Sequence, residues 1–275
     1  MTKFINYSGT KIKYRDKINP IINASTKNIY VEPFVGSGAI LFGLEKEFDE
    51  YIINDIDPNI IRMYKSFKEC TYNDYKDIVS QIGPLANDKD RYYLKRKYWN
   101  DNLWKTDTTE EGLYLHVIGS SVINSMLRFS KNGMNQGFGA REFIINESDF
   151  NKIQSRLKRT TIHSVSYTDL MNIDDAIYFL DPPYFSQDSS YAGFNKDDIK
   201  TFINTLDNIE YVYTDILNEY NNKIENKIFV REMRSTSPQV SGDKKRANNN
   251  MEYIFYNVPK YSQNTGTLLE FLKEK

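Results

Sequence analysis

The sequence predicts a mixed α/β protein in which a mainly helical segment interrupts a series of short strands. Strand-like apolar runs lie before residue 58 and after residue 158. Within 58–158 the apolar residues recur at helical spacing instead. Alternating strands and helices are typical of an open sheet covered by helices. We therefore expect one domain formed by 1–57 and 159–275, with 58–158 inserted into it as a second.

The N-terminal part predicts a strand, a turn, a helix and a second strand. NIYVEPF (28–34) has the pattern of a short buried strand, and the GSG after it breaks the strand. AILFGLEKE (39–47) then places apolar residues at helical spacing, and EYIINDID (50–57) predicts a strand that ends in acids. Ligands of open α/β sheets bind at the carboxyl ends of strands, so these two ends are candidate binding positions.

The inserted segment predicts several helices and one glycine-rich element. The helical patterns are NIIRMYKSF (59–67), DRYYLKRKYW (90–99) and EGLYLHVIGSSVINSML (111–127), and FSKNGMNQGFGAREF (129–143) predicts a hairpin or a loop. The segment holds 16 Lys and Arg against 12 Asp and Glu, whereas the rest of the chain holds 20 against 25. Either a surface that faces DNA or an ordinary solvated helix face explains this mild excess of positive charge.

After the insert, the chain returns to strand patterns. The predicted strands are TIHSVSY (161–167), DAIYFLDPPY (175–184), YVYTDI (211–216), NKIFVRE (226–232) and EYIFYNV (252–258). The polar stretch 235–250 predicts a loop. Basic residues in and beside that loop either clamp a DNA backbone or belong to an ordinary charged surface: Arg234, Lys244, Lys245 and Arg246.

The composition excludes several classes of protein. Forty per cent hydrophobic and 14% aromatic residues predict a folded globule. No apolar run approaches the roughly 20 residues of a membrane span, and the first residues carry no signal-peptide core, so we expect a soluble protein of the cytoplasm and no membrane partner. Cys70 is the single cysteine, and His116 and His163 are the two histidines, so neither a disulfide framework nor a metal site is expected.

A glycine turn and an acid form the first candidate site. PFVGSGAI (33–40) joins the first strand to the predicted helix, where glycines let backbone approach a ligand and a helix N-terminus offers N–H donors. Asp55 follows Gly36 by 19 residues, at the end of the next strand, where an acid can accept hydrogen bonds from ribose hydroxyls. No fingerprint for a pyrophosphate or triphosphate is present. A plain tight turn explains the glycines alone, and adenosine without phosphates explains them together with the acid.

The tetrapeptide DPPY (181–184) is the second candidate site. It follows the apolar strand AIYFL, which puts it at a carboxyl strand end. Asp181 and the carbonyl of Pro182 can accept hydrogen bonds from an exocyclic amine, and Tyr184 can stack on a flat base. Pro182 and Pro183 together hold the turn rigid. The competing interpretation is a strand-terminating turn with a capping aspartate.

Taken together, the motifs resemble those of the Dam-type DNA adenine-N6 methyltransferases, the D12 class in its alpha group, and most closely the phage-encoded members. The matching stretches, in order, are NYSGTK (6–11), FVGSGAI (34–40), NDIDPNIIRMYK (54–65), NSMLR with KNG and FGAR behind it (124–141), SYTDL (166–170) and DPPY (181–184). The resemblance covers most of the chain. Six matches in the same order along the chain identify a family far more specifically than any single match.

The resemblance implies a fold and a reaction. The fold is a Rossmann-like class I methyltransferase sheet with an inserted, mainly helical target-recognition domain that carries a hairpin. The reaction transfers a methyl group from S-adenosyl-L-methionine to N6 of a flipped adenine in double-stranded DNA, within GATC, and releases S-adenosyl-L-homocysteine. It requires no metal. A monomer is expected, in a bacterial cell or a phage-infected host, with a restriction endonuclease as a conceivable partner in the same system.

The resemblance also assigns residues to the cofactor and to catalysis. The expected cofactor-binding residues are Tyr7, Lys11, Phe34, Gly36, Ser37, Gly38, Asp55, Ile56, Asp169 and Asp181. The expected catalytic residues are Asp181, Pro182, Pro183 and Tyr184. On the residues alone, the alternative for Lys11 is a surface lysine, and the alternative for Asp169 is a turn acid or helix cap.

On the DNA side, the resemblance assigns residues of the inserted segment: Asn124, Met126, Arg128, Asn132, Gly137 and Arg141. Arg128 is expected to fork onto guanine O6 and N7, while Met126 and Asn124 wedge into the base stack or hold the orphaned partner base. Arg141 is expected at a phosphate or a base. Without the resemblance, we would expect Met126 in the hydrophobic core and Arg128 as a solvated charge on the surface.

Four departures from the family pattern bear on these assignments. On the DNA side, Gly137 stands where proline is frequent, Ser130 where asparagine is usual and Asn6 where lysine is frequent. Thr214-Asp215 stands where Ser-Asn is common. The target sequence is therefore less firmly implied than the chemistry. Two other functions stay open from the sequence: an inactive DNA-binding homologue, and a methyltransferase that acts on RNA or protein.

Overall fold

The computed structural model describes residues 3–184, 196–233 and 250–262 and confirms the mixed α/β class with mostly parallel pairing of its main strands. The helices are α1 (Arg15–Ala24), α2 (Pro58–Glu69), α3 (Tyr72–Ile82), α4 (Lys89–Tyr98), α5 (Thr109–Gly119), α6 (Glu147–Lys158) and α7 (Lys196–Thr205). The strands are β1 (Ile29–Glu32), β2 (Glu50–Asn54), β3 (Phe129–Ser130), β4 (Gly133–Met134), β5 (Thr160–His163), β6 (Ala176–Leu180), β7 (Glu210–Ile216), β8 (Lys227–Met233) and β9 (Asn250–Asn257).

The chain divides into two compact units. The first contains Met1–Arg15 and Glu32–Leu170, and the second contains Asp16–Val31 and Met171–Lys275. In the first unit β2 pairs in parallel with β5. In the second, β1, β6 and β7 pair in parallel, and β9 joins β7 and β8 by antiparallel pairing. The domain boundaries expected from the sequence stay a prediction.

In the first unit, α2 and α5 pack closely. A Cβ on Gly112 would lie 2.6 Å from the carbonyl oxygen of Arg62, so only glycine permits this approach of the two helices. Residues 113–119 of α5 are all buried, as expected for a helix that is apolar on every side. The ring nitrogens of buried His116 meet the Phe4 carbonyl oxygen at 2.7 Å and the Tyr75 hydroxyl at 3.5 Å, and burial lowers the pKa of His116 to about 4.

The predicted hairpin is confirmed, but the predicted helix over 111–127 ends early. Strands β3 and β4 pair antiparallel, with Ser130 opposite Gly133. Helix α5 stops at Gly119 because the next groups bond elsewhere: the Ser121 carbonyl accepts the N–H of Gly139, and Val122 forms a bridge with Phe138. The stretch NSMLR (124–128) therefore lies in an irregular loop rather than at the end of a helix.

The helix predicted over 39–47 was wrong. Only a 3-10 turn, Leu41–Gly43, forms there, and Leu44 is already extended. The Nε of Arg15 donates to the Ala39 carbonyl at 2.5 Å, which takes the acceptor that a helix would offer to the N–H of Gly43. The glycine turn is therefore not followed by the regular helix N-terminus that the sequence predicted.

In the second unit, β6 leads to the DPPY tetrapeptide, and β7 pairs with β6 in parallel. Every residue of β6 is buried, which fits a strand in the interior of a parallel sheet. Leu180 lies opposite Tyr213, so Asp181 leaves the strand beside Thr214. The strand predictions for 211–216, 226–232 and 252–258 are confirmed. The predicted strand 175–184 ends at Leu180, and the predicted strand 161–167 ends at His163.

Within the part of the chain that the structure describes, no helix is both long and apolar enough to cross a bilayer. Most of the loop predicted at 235–250 lies outside the described residues, and so do Arg234, Lys244, Lys245 and Arg246.

Candidate active-site residues

The glycine turn in the first unit adopts a backbone that other residues resist. Gly36 has φ +44° and Gly38 has φ +62°, both in the left-handed region. A Cβ on Gly38 would lie 2.7 Å from the ring of Phe42 and 2.7 Å from the hydroxyl oxygen of Tyr64. The Tyr64 hydroxyl also donates to the Gly36 carbonyl at 2.9 Å. Packing on one side therefore holds the turn in a single conformation.

Asp55, the predicted ribose acid, bonds directly to this turn. One carboxylate oxygen accepts the N–H of Gly36 at 3.0 Å and the other accepts the N–H of Asp57 at 2.9 Å. Burial raises the pKa of Asp55 to about 6 and outweighs these two bonds. Because the Gly36 N–H is engaged by a carboxylate, the turn is poorly suited to a phosphate, as the sequence predicted.

Asn54 joins three segments around this acid, and the sequence reasoning gave it no role. Its side-chain amide donates to the Pro33 carbonyl at 3.0 Å and to the Val165 carbonyl at 3.1 Å. Its side-chain oxygen accepts the N–H of Val165 at 2.8 Å. Asn54 is 1% exposed, so these bonds form away from water and set the spacing of the segments. A polar residue at the end of an apolar strand was the available signal.

Apolar surface lies exposed beside Asp55. The ring of Phe34 packs 5.3 Å from that of Tyr167. Ile56 is 68% exposed and Val165 is 37% exposed, both high for apolar residues. Asp169 is exposed in the 3-10 turn Tyr167–Leu170. This combination of apolar faces with acids suits a nucleoside, whose base is flat and whose hydroxyl and amino groups donate.

The N-terminal stretch NYSGTK (6–11) contacts the glycine turn. A Cβ built on Gly36 would lie 3.4 Å from the ring of Tyr7, so that ring is in contact range of the turn. Ser37, which is buried, bonds through its hydroxyl to that of Thr10 at 3.1 Å. Lys11 is only 5% exposed, so it is not a surface lysine. Its Nζ donates to the Gly9 carbonyl at 2.9 Å. The structure therefore brings Tyr7, Gly36 and Ser37 together.

In the second unit, the acid of DPPY has a specific partner. The hydroxyl of Thr214 donates to the Asp181 carboxylate at 2.7 Å. Thr214 is 1% exposed, and Pro182 is also buried. Thr214 is one of the two departures noted at the strand end, and it keeps the hydroxyl of the more common serine.

Its neighbour Asp215 holds the following turn. The Asp215 carboxylate accepts the hydroxyl of Tyr213, the N–H of Ile216 at 2.7 Å, and the side-chain amides of Asn218 and Asn221 at 3.1 and 3.3 Å. It is 2% exposed. These bonds satisfy a buried charge and tie the end of β7 to the turn that follows it.

Tyr184 is held through its hydroxyl. That hydroxyl donates to one carboxylate oxygen of Glu252, and the other carboxylate oxygen lies 2.6 Å from Nε of Arg231. Burial raises the pKa of Tyr184, and the charges of Asp181 and Glu252 raise it further. The phenol therefore stays neutral and donating. Sequence reasoning missed Glu252 and Arg231, although an acid at the start of the apolar run EYIFYNV was a signal.

The predicted DNA-binding residues lie in the first unit, around the hairpin. Asn124 is exposed at φ +57° in the 3-10 turn Ile123–Ser125, and Arg128 is exposed with its Nε 3.2 Å from Sδ of Met126. Met126 is half-buried, not fully in the core. The Gly137 carbonyl accepts the N–H of Ile123 at 2.9 Å, which joins the two sides of this loop.

The remaining two predicted DNA-binding residues, Asn132 and Arg141, are exposed. Asn132 lies at the hairpin tip, where its N–H donates to the Ser130 hydroxyl at 3.2 Å. Arg141 is exposed beyond the hairpin. Among the described residues, no group of His, Cys, Asp or Glu side chains is arranged to hold a metal ion.

Comparison with known proteins gives one consistent result. A family model described as D12 class N6 adenine-specific DNA methyltransferase matches residues 7–237. The DNA adenine methylase of Haemophilus influenzae is 28% identical over 200 residues, which cover 70% of this chain and 67% of that protein. The type II methyltransferase M.MjaIII of Methanocaldococcus jannaschii is 27% identical over 218 residues, covering 71% and 74%. The type II methyltransferase M.CviBI of Paramecium bursaria Chlorella virus NC1A is 26% identical over 223 residues, covering 76% and 80%.

The matched region contains the glycine turn, Asp55, the hairpin and DPPY, so the resemblance seen in these motifs extends through most of the sequence. Because this region spans well over half of the chain, the protein belongs to the D12 class of N6 adenine-specific DNA methyltransferases.

Proposed function

We propose that this methyltransferase transfers a methyl group from S-adenosyl-L-methionine to N6 of adenine within GATC in double-stranded DNA. The observation that carries the proposal is the DPPY tetrapeptide at the carboxyl end of a buried parallel strand, with its acid oriented by a hydroxyl at 2.7 Å. Family membership and the names of the relatives support DNA adenine as the acceptor. The proposed group is the alpha group, close to phage-encoded members.

The first unit contributes the adenosine-binding residues. The Asp55 carboxylate accepts ribose hydroxyls, while Ile56 and Phe34 cover the adenine ring and Asp169 accepts its amino group. Tyr7, Lys11, Ser37 and the two glycines surround the methionine portion. Support comes from the donor set: exposed apolar faces and acids, with the loop N–H of Gly36 already bonded to a carboxylate. When bound, S-adenosylmethionine supplies an electrophilic methyl and a thioether leaving group.

The second unit contributes the residues that hold the amine. The Asp181 carboxylate and the Pro182 carbonyl accept the two N6 hydrogens and favour the pyramidal nitrogen whose lone pair attacks the methyl carbon. Bound S-adenosylmethionine would supply that methyl carbon and would leave as the neutral thioether, with sulfur keeping the electron pair of the carbon–sulfur bond. N6 then releases one proton, which Asp181 accepts first. Tyr184 stacks on the flipped base, and Pro183 stiffens the turn.

We further propose that 58–158 is a target-recognition domain inserted into a class I methyltransferase fold formed by 1–57 and 159–275. Arg128 reads a guanine, Asn124 and Met126 occupy the space left by the flipped adenine, and Asn132, Gly137 and Arg141 contact the flanking backbone or bases. The exposure of Asn124, Arg128, Asn132 and Arg141 supports these roles. The enzyme acts as a monomer in the cytoplasm.

A restriction endonuclease with the same target is the proposed partner. Support comes from two relatives that are named type II methyltransferases.

A labelled-methyl assay tests the reaction and its acceptor. Purified protein is incubated with methyl-labelled S-adenosylmethionine and a duplex with one GATC, the same duplex with GATC scrambled, a single-stranded RNA, or a mixed protein extract, with Asp181→Ala as control. We expect Asp181-dependent label only in the GATC duplex, at N6. Label in the scrambled duplex keeps the chemistry and overturns the target. Label only in RNA or protein overturns the DNA acceptor.

A further inference from the structure

A buried carboxylate outside the family match connects to the DPPY tetrapeptide. Glu252 lies on β9, and the matched region ends at residue 237. It is 1% exposed, and each of its two oxygens has a partner: the Tyr184 hydroxyl donates to one, and Nε of Arg231 lies 2.6 Å from the other. Strand pairing sets this arrangement, because Glu252 is opposite Ile216 on β7 and Arg231 on β8.

Burial of the Glu252 carboxylate carries a desolvation penalty that its partners have to offset. Its ion-pair partner Arg231 is 56% exposed, so solvent screens part of the attraction between the two side chains. The carboxylate also accepts the Tyr184 hydroxyl, which belongs to the tetrapeptide that is proposed to hold the base. The buried carboxylate therefore lies where it can orient that phenol.

The bond constrains Tyr184 in two ways. A phenol that donates to a carboxylate keeps its proton, consistent with the raised pKa of Tyr184, so the ring stays neutral. The bond also fixes the position of the hydroxyl oxygen, so the side chain cannot swing to another χ1 rotamer without breaking this hydrogen bond. A flat, neutral, fixed ring is what stacking on an extruded base requires.

We propose that Glu252 is a positioning residue that holds Tyr184 in the orientation used to stack on the target adenine, with Arg231 orienting Glu252 in turn. This inference rests on the proposed function, because it assigns Tyr184 to the base. It predicts that the loss of Glu252 lowers kcat rather than binding, since a misplaced base still binds but reacts slowly.

The test is a double-mutant cycle with a conservative variant and a matched control. Glu252→Ala removes both bonds, Glu252→Gln keeps an acceptor for the phenol, and Tyr184→Phe removes only the hydroxyl. The control is Glu210→Ala on β7, which removes another carboxylate that accepts a hydroxyl, that of Ser25 at 2.6 Å. For each variant, kcat and KM for a GATC duplex and the Kd for S-adenosylhomocysteine are measured.

We expect Glu252→Ala to lower kcat on the order of 10- to 100-fold while KM and Kd stay within about twofold, as for a loss of geometry at the reacting atoms. Glu252→Gln regains at least about threefold of that loss, because amide oxygens also accept phenol hydrogens. In the Tyr184→Phe background, Glu252→Ala costs less than about twofold more, since the two residues act as a unit. Glu210→Ala behaves like the wild type.

The inference is overturned by additive effects of Glu252→Ala and Tyr184→Phe, or by an unchanged kcat in Glu252→Ala. If Glu252→Ala does not fold, Tyr184→Phe and Glu252→Gln decide the outcome: equal kcat in Tyr184→Phe and wild type overturns it. A wild-type protein that methylates no duplex overturns the proposed function first, and this result is distinct from an active wild type with an inert Glu252.

Discussion

The glycine turn of the first unit and the DPPY tetrapeptide of the second are held by different means. The turn is held by side chains from the N-terminal 64 residues: Gly36 bonds to Asp55 and Tyr64, 19 and 28 positions away. The tetrapeptide is held by side chains from later strands: Asp181 accepts from Thr214, 33 positions away, and Tyr184 donates to Glu252, 68 positions away. The glycine turn can thus be recognised from a short motif, whereas the orientation of Asp181 and Tyr184 depends on residues of the later strands β7 and β9.

Removing the acid of the tetrapeptide is expected to have the largest effect. Asp181→Ala should lower kcat on the order of 10³-fold, because it removes an acceptor aimed at the reacting amine. DNA binding, measured by fluorescence anisotropy with a GATC duplex, should stay within about twofold of the wild type. Loss of DNA binding in a folded variant would show that Asp181 supports the structure of the site rather than the reaction.

The glycine turn should be the more sensitive region in stability. Gly38→Ala combines a left-handed backbone with a Cβ 2.7 Å from Phe42 and Tyr64, which should cost about 2–4 kcal/mol of unfolding free energy. Gly9→Ala is the matched control, since Gly9 also has a positive φ but no atom within 4 Å of its built Cβ, and about 1 kcal/mol is expected. Urea denaturation compares the two. Equal losses would contradict the crowding seen at Gly38.

The hydroxyl of Thr214, which donates to Asp181, can be tested separately from Asp181 itself. Thr214→Val keeps the shape of the buried side chain but removes the hydroxyl, which should cost about 2 kcal/mol in transition-state stabilisation, a loss of about 30-fold in kcat. Thr214→Ser should stay within about threefold of the wild type, since it keeps the donor. Steady-state methylation rates test both variants. A Val variant as active as Ser would mean that the hydroxyl does not orient Asp181.

The pH dependence of cofactor binding tests the turn through Asp55. Its pKa is raised to about 6, so the acid is protonated below that pH and presents fewer acceptors to ribose hydroxyls. If the complex requires the ionised form, affinity should rise with pH through about 6 and be about tenfold weaker at pH 5 than at pH 8. Calorimetric titration with S-adenosylhomocysteine measures this change, and Asp55→Asn should show a flat profile.

Protein stability has to be followed in the same titration, because two groups act on it with opposite signs. Asp55 binds its proton more tightly in the folded state, so its ionisation lowers stability as pH rises from 3.8 to about 6. His116, with its pKa lowered to about 4, is neutral when folded, so stability falls as pH drops from 6.5 towards 4. The Asp55→Asn variant retains His116. If its unfolding free energy depends on pH as steeply as that of the wild type, the pH dependence of stability is assigned to His116.

Much of the fold could be predicted from the sequence because strands such as AIYFL and EYIIN carry their burial in their own composition. The acids at 55 and 181 were predictable because strand ends mark ligand positions. The helix predicted at 39–47 failed because a distant arginine takes the Ala39 carbonyl. Thr214 and Glu252 were not assigned as partners of DPPY, since neither strand register nor a hydrogen bond across 68 positions is encoded locally.

The central claim is tested most directly by single-molecule sequencing of DNA from cells that lack their own adenine methylation and express this protein, with Asp181→Ala as control. The account predicts N6-methyladenine at GATC in the wild-type culture and none in the control. Marks at another sequence would keep the chemistry and point to the region around Ser130 and Gly137. Absence of an Asp181-dependent mark, from protein that is folded and binds S-adenosylhomocysteine, would contradict the account.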